Sequence, residues 1–202
     1  MVTSILEPGK SYTFSNYFDL SYEPDEILAE FGFTLSYRAL DLPRREIPLE
    51  QLTDLKNSIQ RHLPFVSLTS ETARREVLIA PVVLALIDYT QAKLRIEYAI
   101  KVSEQLKGSL DYYLQTQKSL LIIEAKNADL TKGFTQLAVE LIALDQWTDS
   151  EFPLLYGVVS TGTIWQFGCL DREQKEIEQD LNLYRVPADL PELFPSLVAI
   201  LI

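Results

Sequence analysis

Glu124 and Lys126 stand two residues apart at the end of an apolar run, Leu120-Leu121-Ile122-Ile123. In a strand, residues two apart point to the same face, so a carboxylate and an ammonium emerge together while Ala125 faces away. Asp111 lies upstream, with twelve residues between it and Glu124. The polar link at 115–118 is short enough for the two segments to pair as a hairpin, which sets Asp111 roughly opposite Ile123 and Glu124. Two carboxylates and a lysine then share one small volume. Magnesium, or manganese, suits such hard oxygen ligands and keeps several waters beside one or two carboxylates. The chemistry implied is phosphodiester hydrolysis, with Asp111 and Glu124 holding the ion and Lys126 orienting a water or offsetting charge on the phosphate. The plain alternative is an ion pair between Glu124 and Lys126 at a strand end.

Composition narrows the other possibilities. Cys169 is the one cysteine and His62 the one histidine, so an internal disulfide is impossible and a Cys/His zinc site is excluded. Any metal must be held by oxygen. The balance of 18 basic against 29 acidic residues gives a net charge of -11, which repels a polyanion at long range. Arg74, Arg75, Lys126 and Lys132 are basic residues that could stand beside this cluster. No apolar run approaches the roughly eighteen residues of a membrane span, and residues 1–10 lack the basic-then-apolar order of a signal peptide. The expectation is a cytoplasmic protein that does not enter the membrane.

The elements that would position these residues follow from periodicity. The 202 residues suit a single domain. Residues 33–42 alternate as a strand, Pro24 opens a short helix, and Leu49, Leu52, Leu55, Ile59 and Leu63 recur at helical spacing until Pro64. A second helix is predicted from an N-cap at Ser70 through Ile79, with a kink or break at Pro81. Residues 94–102, 109–114 and 119–125 read as successive strands, the third covered on both faces. Phe134, Leu137, Ala138, Leu141 and Ile142 mark an amphipathic helix over 131–146. Residues 154–160 and 163–170 form a hairpin around Thr161-Gly162. The charged stretch 171–180 reads as a solvated helix or loop, and 190–202 closes the chain.

Asp111 and Glu124-Ala125-Lys126, set in this order of helix, strand meander and helix, resemble the Asp...Glu-X-Lys signature of the PD-(D/E)XK nuclease superfamily. Leu110 stands where that superfamily's proline would be. Glu71, Arg75, Ile79 and Pro81 are similar to the Glu-X3-Arg-X3-Ile-X-Pro helix in the nuclease domains of type I restriction motor subunits. Gln136 is similar to the glutamine of a downstream Gln-X3-Tyr motif, with Glu140 in place of the tyrosine. The resemblance covers residues 70–170 and implies an α/β (α+β), restriction-endonuclease-like central mixed sheet flanked by helices. Residues 1–66 would be an N-terminal extension packed on that core. It implies that Asp111, Glu124 and Glu71 hold magnesium or manganese, that Lys126 and Gln136 join them in catalysis, and that Lys132 and Arg75 contact nucleic acid. The substrate implied is DNA, with RNA an open alternative. Cutting both strands needs two sites, which a homodimer or a larger nuclease complex would supply.

Simpler roles stand beside these. Glu71, just after a helix N-cap, also suits the helix dipole, and Gln136 also suits a position bordering the core. His62 reads as a surface or capping residue and Cys169 as a buried, inert thiol. The aromatics between Tyr12 and Tyr37 read as core rather than stacking platforms, since basic residues are scarce there. The chain therefore reads as a metal-dependent DNA endonuclease. The alternative is a catalytically inactive nuclease-fold module in a restriction, repair or mobile-element complex.

Overall fold

The computed structural model describes residues 5–7, 9–117, 119–126 and 129–202, with the side chains of Leu49 and Gln51 outside that description. The first four residues of the segment inspected for a signal peptide, and Lys118 in the link before the third strand of the meander, therefore lie outside it. The chain begins with α1 (Phe14–Asp19), α2 (Pro24–Ala29), β1 (Thr34–Arg38), α3 (Leu49–His62) and α4 (Glu71–Arg74). It continues with α5 (Ala80–Thr90), β2 (Lys93–Lys101), β3 (Lys107–Gln115), β4 (Leu120–Ala125) and α6 (Leu130–Trp147). The remainder is β5 (Leu154–Ser160), β6 (Ile164–Asp171), β7 (Glu176–Asp180), β8 (Tyr184–Arg185) and α7 (Leu190–Leu201).

The fold is mixed α/β, with an 8-stranded sheet in the order β1-β7-β6-β5-β4-β3-β2 and β8 paired to β6. β2, β3 and β4 form an antiparallel meander. β4 then runs parallel to β5, and α6 makes the connection that a parallel pair requires. β5, β6 and β7 are again antiparallel, and β1 closes the far edge parallel to β7.

Every residue of β4 is buried, because both faces of the sheet are covered. Leu120 and Ile122 pack with Phe14 and Tyr17 of α1, Ile27 and Leu28 of α2, and the apolar side of α6. Leu121, Ile123 and Ala125 face the opposite layer, with residues of α3, α5 and α7. The alternation assigns Glu124, and Lys126 just beyond the strand, to the α1/α6 side. Tyr12, Phe14, Tyr17 and Phe33 are core as expected of the early aromatics, whereas Tyr22 and Tyr37 are exposed. Among the described residues no helix is long and apolar enough to cross a membrane.

Two expectations are corrected. Residues 171–180 are a solvated loop only in part: 172–175 form a turn, exposed from Glu173 to Lys175, but β7 pairs with β6, and Ile177, Glu178 and Asp180 are buried. Its charges misled because Arg38 on the neighbouring β1 pairs with both Glu176 and Glu178, so an apparently solvated stretch is an internal strand. The helix from Ser70 does not break at Pro81. A π-helical turn, Arg75–Ile79, joins α4 to α5, with the Ala80 N–H donating to the Arg75 carbonyl five residues back. Pro81 lacks an N–H and its ring crowds the carbonyl four residues earlier, so a wider turn placed ahead of it lets the helix continue.

Candidate active site

β3 and β4 pair in the register Tyr112–Ile123, Tyr113–Ile122, Leu114–Leu121 and Gln115–Leu120. One step further sets Asp111 opposite Glu124. The Asp111 carboxylate turns toward β4 and accepts a hydrogen bond from the Ala125 N–H at 2.9 Å. On its other side the β2 ladder is interrupted. Ile96 pairs with Tyr112 and Tyr98 with Leu110, while Glu97 between them has a left-handed φ of 49°. Such a conformation is costly for a residue with a side chain. Glu97 and Asp111 lie on either side of Arg75, whose Nη1 is 3.5 Å from each carboxylate. The guanidinium also rests 5.3 Å from the centre of the Tyr112 ring.

Glu124 is almost fully enclosed, at 2 % exposure. Lys126 Nζ lies 2.7 Å from its Oε1, and Gln136 Nε2 on α6 donates to the same oxygen at 2.6 Å. Gln136 Nε2 also donates to Glu140 Oε1 at 2.8 Å. Glu124 Oε2, Glu140 Oε2 and Gln136 Oε1 are buried and have no hydrogen-bond partner. Burial, and then the Asp111 charge, push the Glu124 carboxyl up to about 8 against the pull of Lys126. Burial and the Glu124 charge likewise hold the Glu140 carboxyl well above the ordinary carboxylate range. Burial works against the charge on Lys126, but Glu124 outweighs it and the ammonium is raised.

These groups open on a cleft of about 340 Å³ lined by Asp111, Glu124, Lys126, Gln136 and Glu71, and walled by Thr13, Phe14 and Ser15 of the N-terminal segment. A neighbouring hollow of about 350 Å³ shares Ser15, Glu71, Lys126 and Gln136 and adds Phe18, Asp19 and Asp129. Ser70 caps α4 by accepting from the Ala73 N–H at 3.1 Å, which places Glu71 in the first helical turn facing this cleft. Lys126 Nζ sits 5.2 Å and Lys132 Nζ 5.9 Å from the centre of the Phe18 ring. Arg74 is occupied elsewhere, donating to the carbonyls of Leu68 at 2.8 Å and Thr161 at 3.3 Å.

The tertiary structure thus brings Asp111, Glu124, Lys126 and Gln136 to one place and sets Glu71 on its wall. Among the described residues no group of three or more His, Cys, Asp or Glu side chains is gathered to hold a metal, and Glu71 lines the same cleft as Asp111 and Glu124. The donor set still fits a magnesium ion: two carboxylates suffice where waters complete the shell, and Glu124 presents a buried oxygen with no partner. Arg75, expected at nucleic acid, is directed at Asp111, while Lys132 is exposed. Glu140 and the α1 wall were not anticipated as parts of the site. Glu140 had a signal, since it lies one helical turn from Gln136 inside the apolar stretch 137–144 and so shares its face. The α1 wall had none, because Phe14 and Phe18 reach the cleft only through folding of the chain ends. His62 is exposed, and Cys169 is buried, with its thiol pushed up to about 12 by desolvation. Searches against family models, curated proteins and solved structures find no match to this chain.

Proposed function

We propose that this chain is a metal-dependent nuclease of the PD-(D/E)XK type that hydrolyses DNA phosphodiester bonds. The observation that carries the reading is the convergence of Asp111 and Glu124 from paired strands, with Lys126 Nζ 2.7 Å from Glu124 and the second Glu124 oxygen buried without a partner. Asp111 and Glu124 would hold magnesium or manganese, which supplies Lewis-acid polarisation of the phosphate and a more acidic water. Lys126 stays protonated and keeps a positive charge at the cleft, where negative charge develops on the phosphate. Arg75 fixes Asp111 in place, and Lys132 at the rim offers a backbone contact.

The test is cleavage of double- and single-stranded DNA, and of RNA, with magnesium or manganese. Glu124→Gln and Lys126→Gln are expected to lower the rate by at least about a hundredfold. Cleavage that survives both substitutions, or no cleavage by the unaltered protein on any substrate, defeats the reading. An inactive binding module is the second reading. It draws on two features: Lys126 and Asp111 already have partners within the chain, and the net charge is -11. DNA binding without cleavage, unchanged by either substitution, is the outcome that favours it. The homodimer that double-strand cutting would need is tested by sedimentation in the presence of duplex DNA.

A further inference from the structure

Glu140 is an unusual residue for its position. It is 1 % exposed and lies among Leu137, Leu141 and Leu144 on the buried part of α6. Its Oε1 accepts from Gln136, and its Oε2 has no partner. A carboxyl group in such surroundings costs desolvation that an apolar side chain of similar size would not. Packing alone therefore gives no reason for an acid here.

The contacts around it suggest what the acid does. A primary carboxamide has two N–H hydrogens on one nitrogen, and Gln136 spends one on Glu124 Oε1 and the other on Glu140 Oε1. Gln136 and Glu140 are one helical turn apart, so the second bond ties the long glutamine side chain along the helix face. With both hydrogens engaged, the carboxamide cannot rotate without setting its oxygen against two carboxyl oxygens. Lys126 approaches the same Oε1 of Glu124 that Gln136 does. Both donors thus converge on one oxygen, the Glu140 carboxyl also lies within hydrogen-bonding reach of Glu124, and neither Lys126 nor Gln136 engages Oε2.

We propose that Glu140 is a positioning residue: by accepting from Gln136 it fixes the carboxamide that holds Glu124 Oε1, so that Glu124 Oε2 is presented as a free ligand oxygen for a divalent cation. The role asks for an acceptor at this position and not for a charge. It rests on the nuclease reading, and manganese binding separates the two. The measurements are manganese affinity by calorimetric titration and the thermal midpoint in chelator, for the full chain and its variants.

Glu140→Leu is expected to weaken manganese binding about tenfold or more, the usual scale for residues supporting a ligand, with a thermal midpoint equal to or above that of the unaltered protein. Glu140→Gln, which keeps an acceptor, is expected to stay within about twofold of the unaltered affinity. The double variant Gln136→Leu/Glu140→Leu should bind no more weakly than Gln136→Leu alone, because the two act in series. Glu140→Leu that binds manganese like the unaltered protein, while Glu124→Gln does not bind, overturns the positioning role and leaves the nuclease reading standing. A fall in midpoint or failure to fold in Glu140→Leu also overturns it, since the acid is then structural. No manganese binding by the unaltered chain, or unchanged binding in Glu124→Gln, overturns both.

Discussion

Glu124 lies at the centre of the charge conflict in this protein. Its carboxyl is pushed up to about 8 from an ordinary 4.5 by burial first and by Asp111 second. The folded chain therefore holds a proton between these values that the unfolded chain releases, and stability must fall as pH rises through that window. Glu140 acts in the same direction. Denaturant midpoints of metal-free protein are expected to decline from pH 5 to pH 8, and Glu124→Gln is expected to flatten the decline. A divalent cation competes with the same proton. Magnesium should therefore raise the thermal midpoint at pH 8 and have little effect at pH 5. A magnesium effect that is equal at both values would remove Glu124 from the binding site.

At the scale of elements, two close approaches set the site. The first is Gly133, in the opening turn of α6, where an added Cβ would lie 2.8 Å from Lys126 Cγ and 2.9 Å from Val159 Cγ2. Alanine there gains about 1 kcal/mol of helix propensity but displaces the lysine stem. Gly133→Ala is expected to lose cleavage more than tenfold while the helical circular dichroism stays unchanged. Unimpaired cleavage would show that the position of Lys126 is not critical. The second is the start of α4, where Ser70 supplies the N-cap. Ser70→Ala should cost about 1 kcal/mol of stability, read as a lower denaturant midpoint, and should loosen the helix that carries Glu71 and leads into Arg75. The π-helical turn after it is the element least legible in advance, since Pro81 announces a disturbance but not on which side of the proline it falls.

At the scale of the molecule, a net charge of -11 surrounds a cleft with few free cations. Lys126 is paired with Glu124 and Arg75 with Asp111, so among the described residues Lys132 is a basic residue at this rim with an exposed position. A substrate that meets one or two cations releases few counterions, and the slope of log affinity against log salt should be no steeper than about -2. A steep slope measured on DNA would mean that a basic surface away from this cleft does the binding.

The sequence by itself determined the local pieces. Period-two alternation and an unbroken apolar run marked β2, β3 and β4, helical spacing marked α3 and α6, and the two-residue spacing of Glu124 and Lys126 placed them on one face. Their pairing with Asp111 followed because a short antiparallel link leaves little freedom of register. What lies far apart in the chain was decided by the tertiary structure. β7 became an internal strand because Arg38 answers its acids, α1 became a wall of the cleft because its aromatics share a core with α6, and Arg75 turned to Asp111 across the interruption at Glu97. The state of Glu124 also belongs to the fold. A carboxyl in sequence is an ordinary acid, and only enclosure beside Asp111, Lys126 and the Gln136–Glu140 pair gives it a raised proton affinity and one bare oxygen.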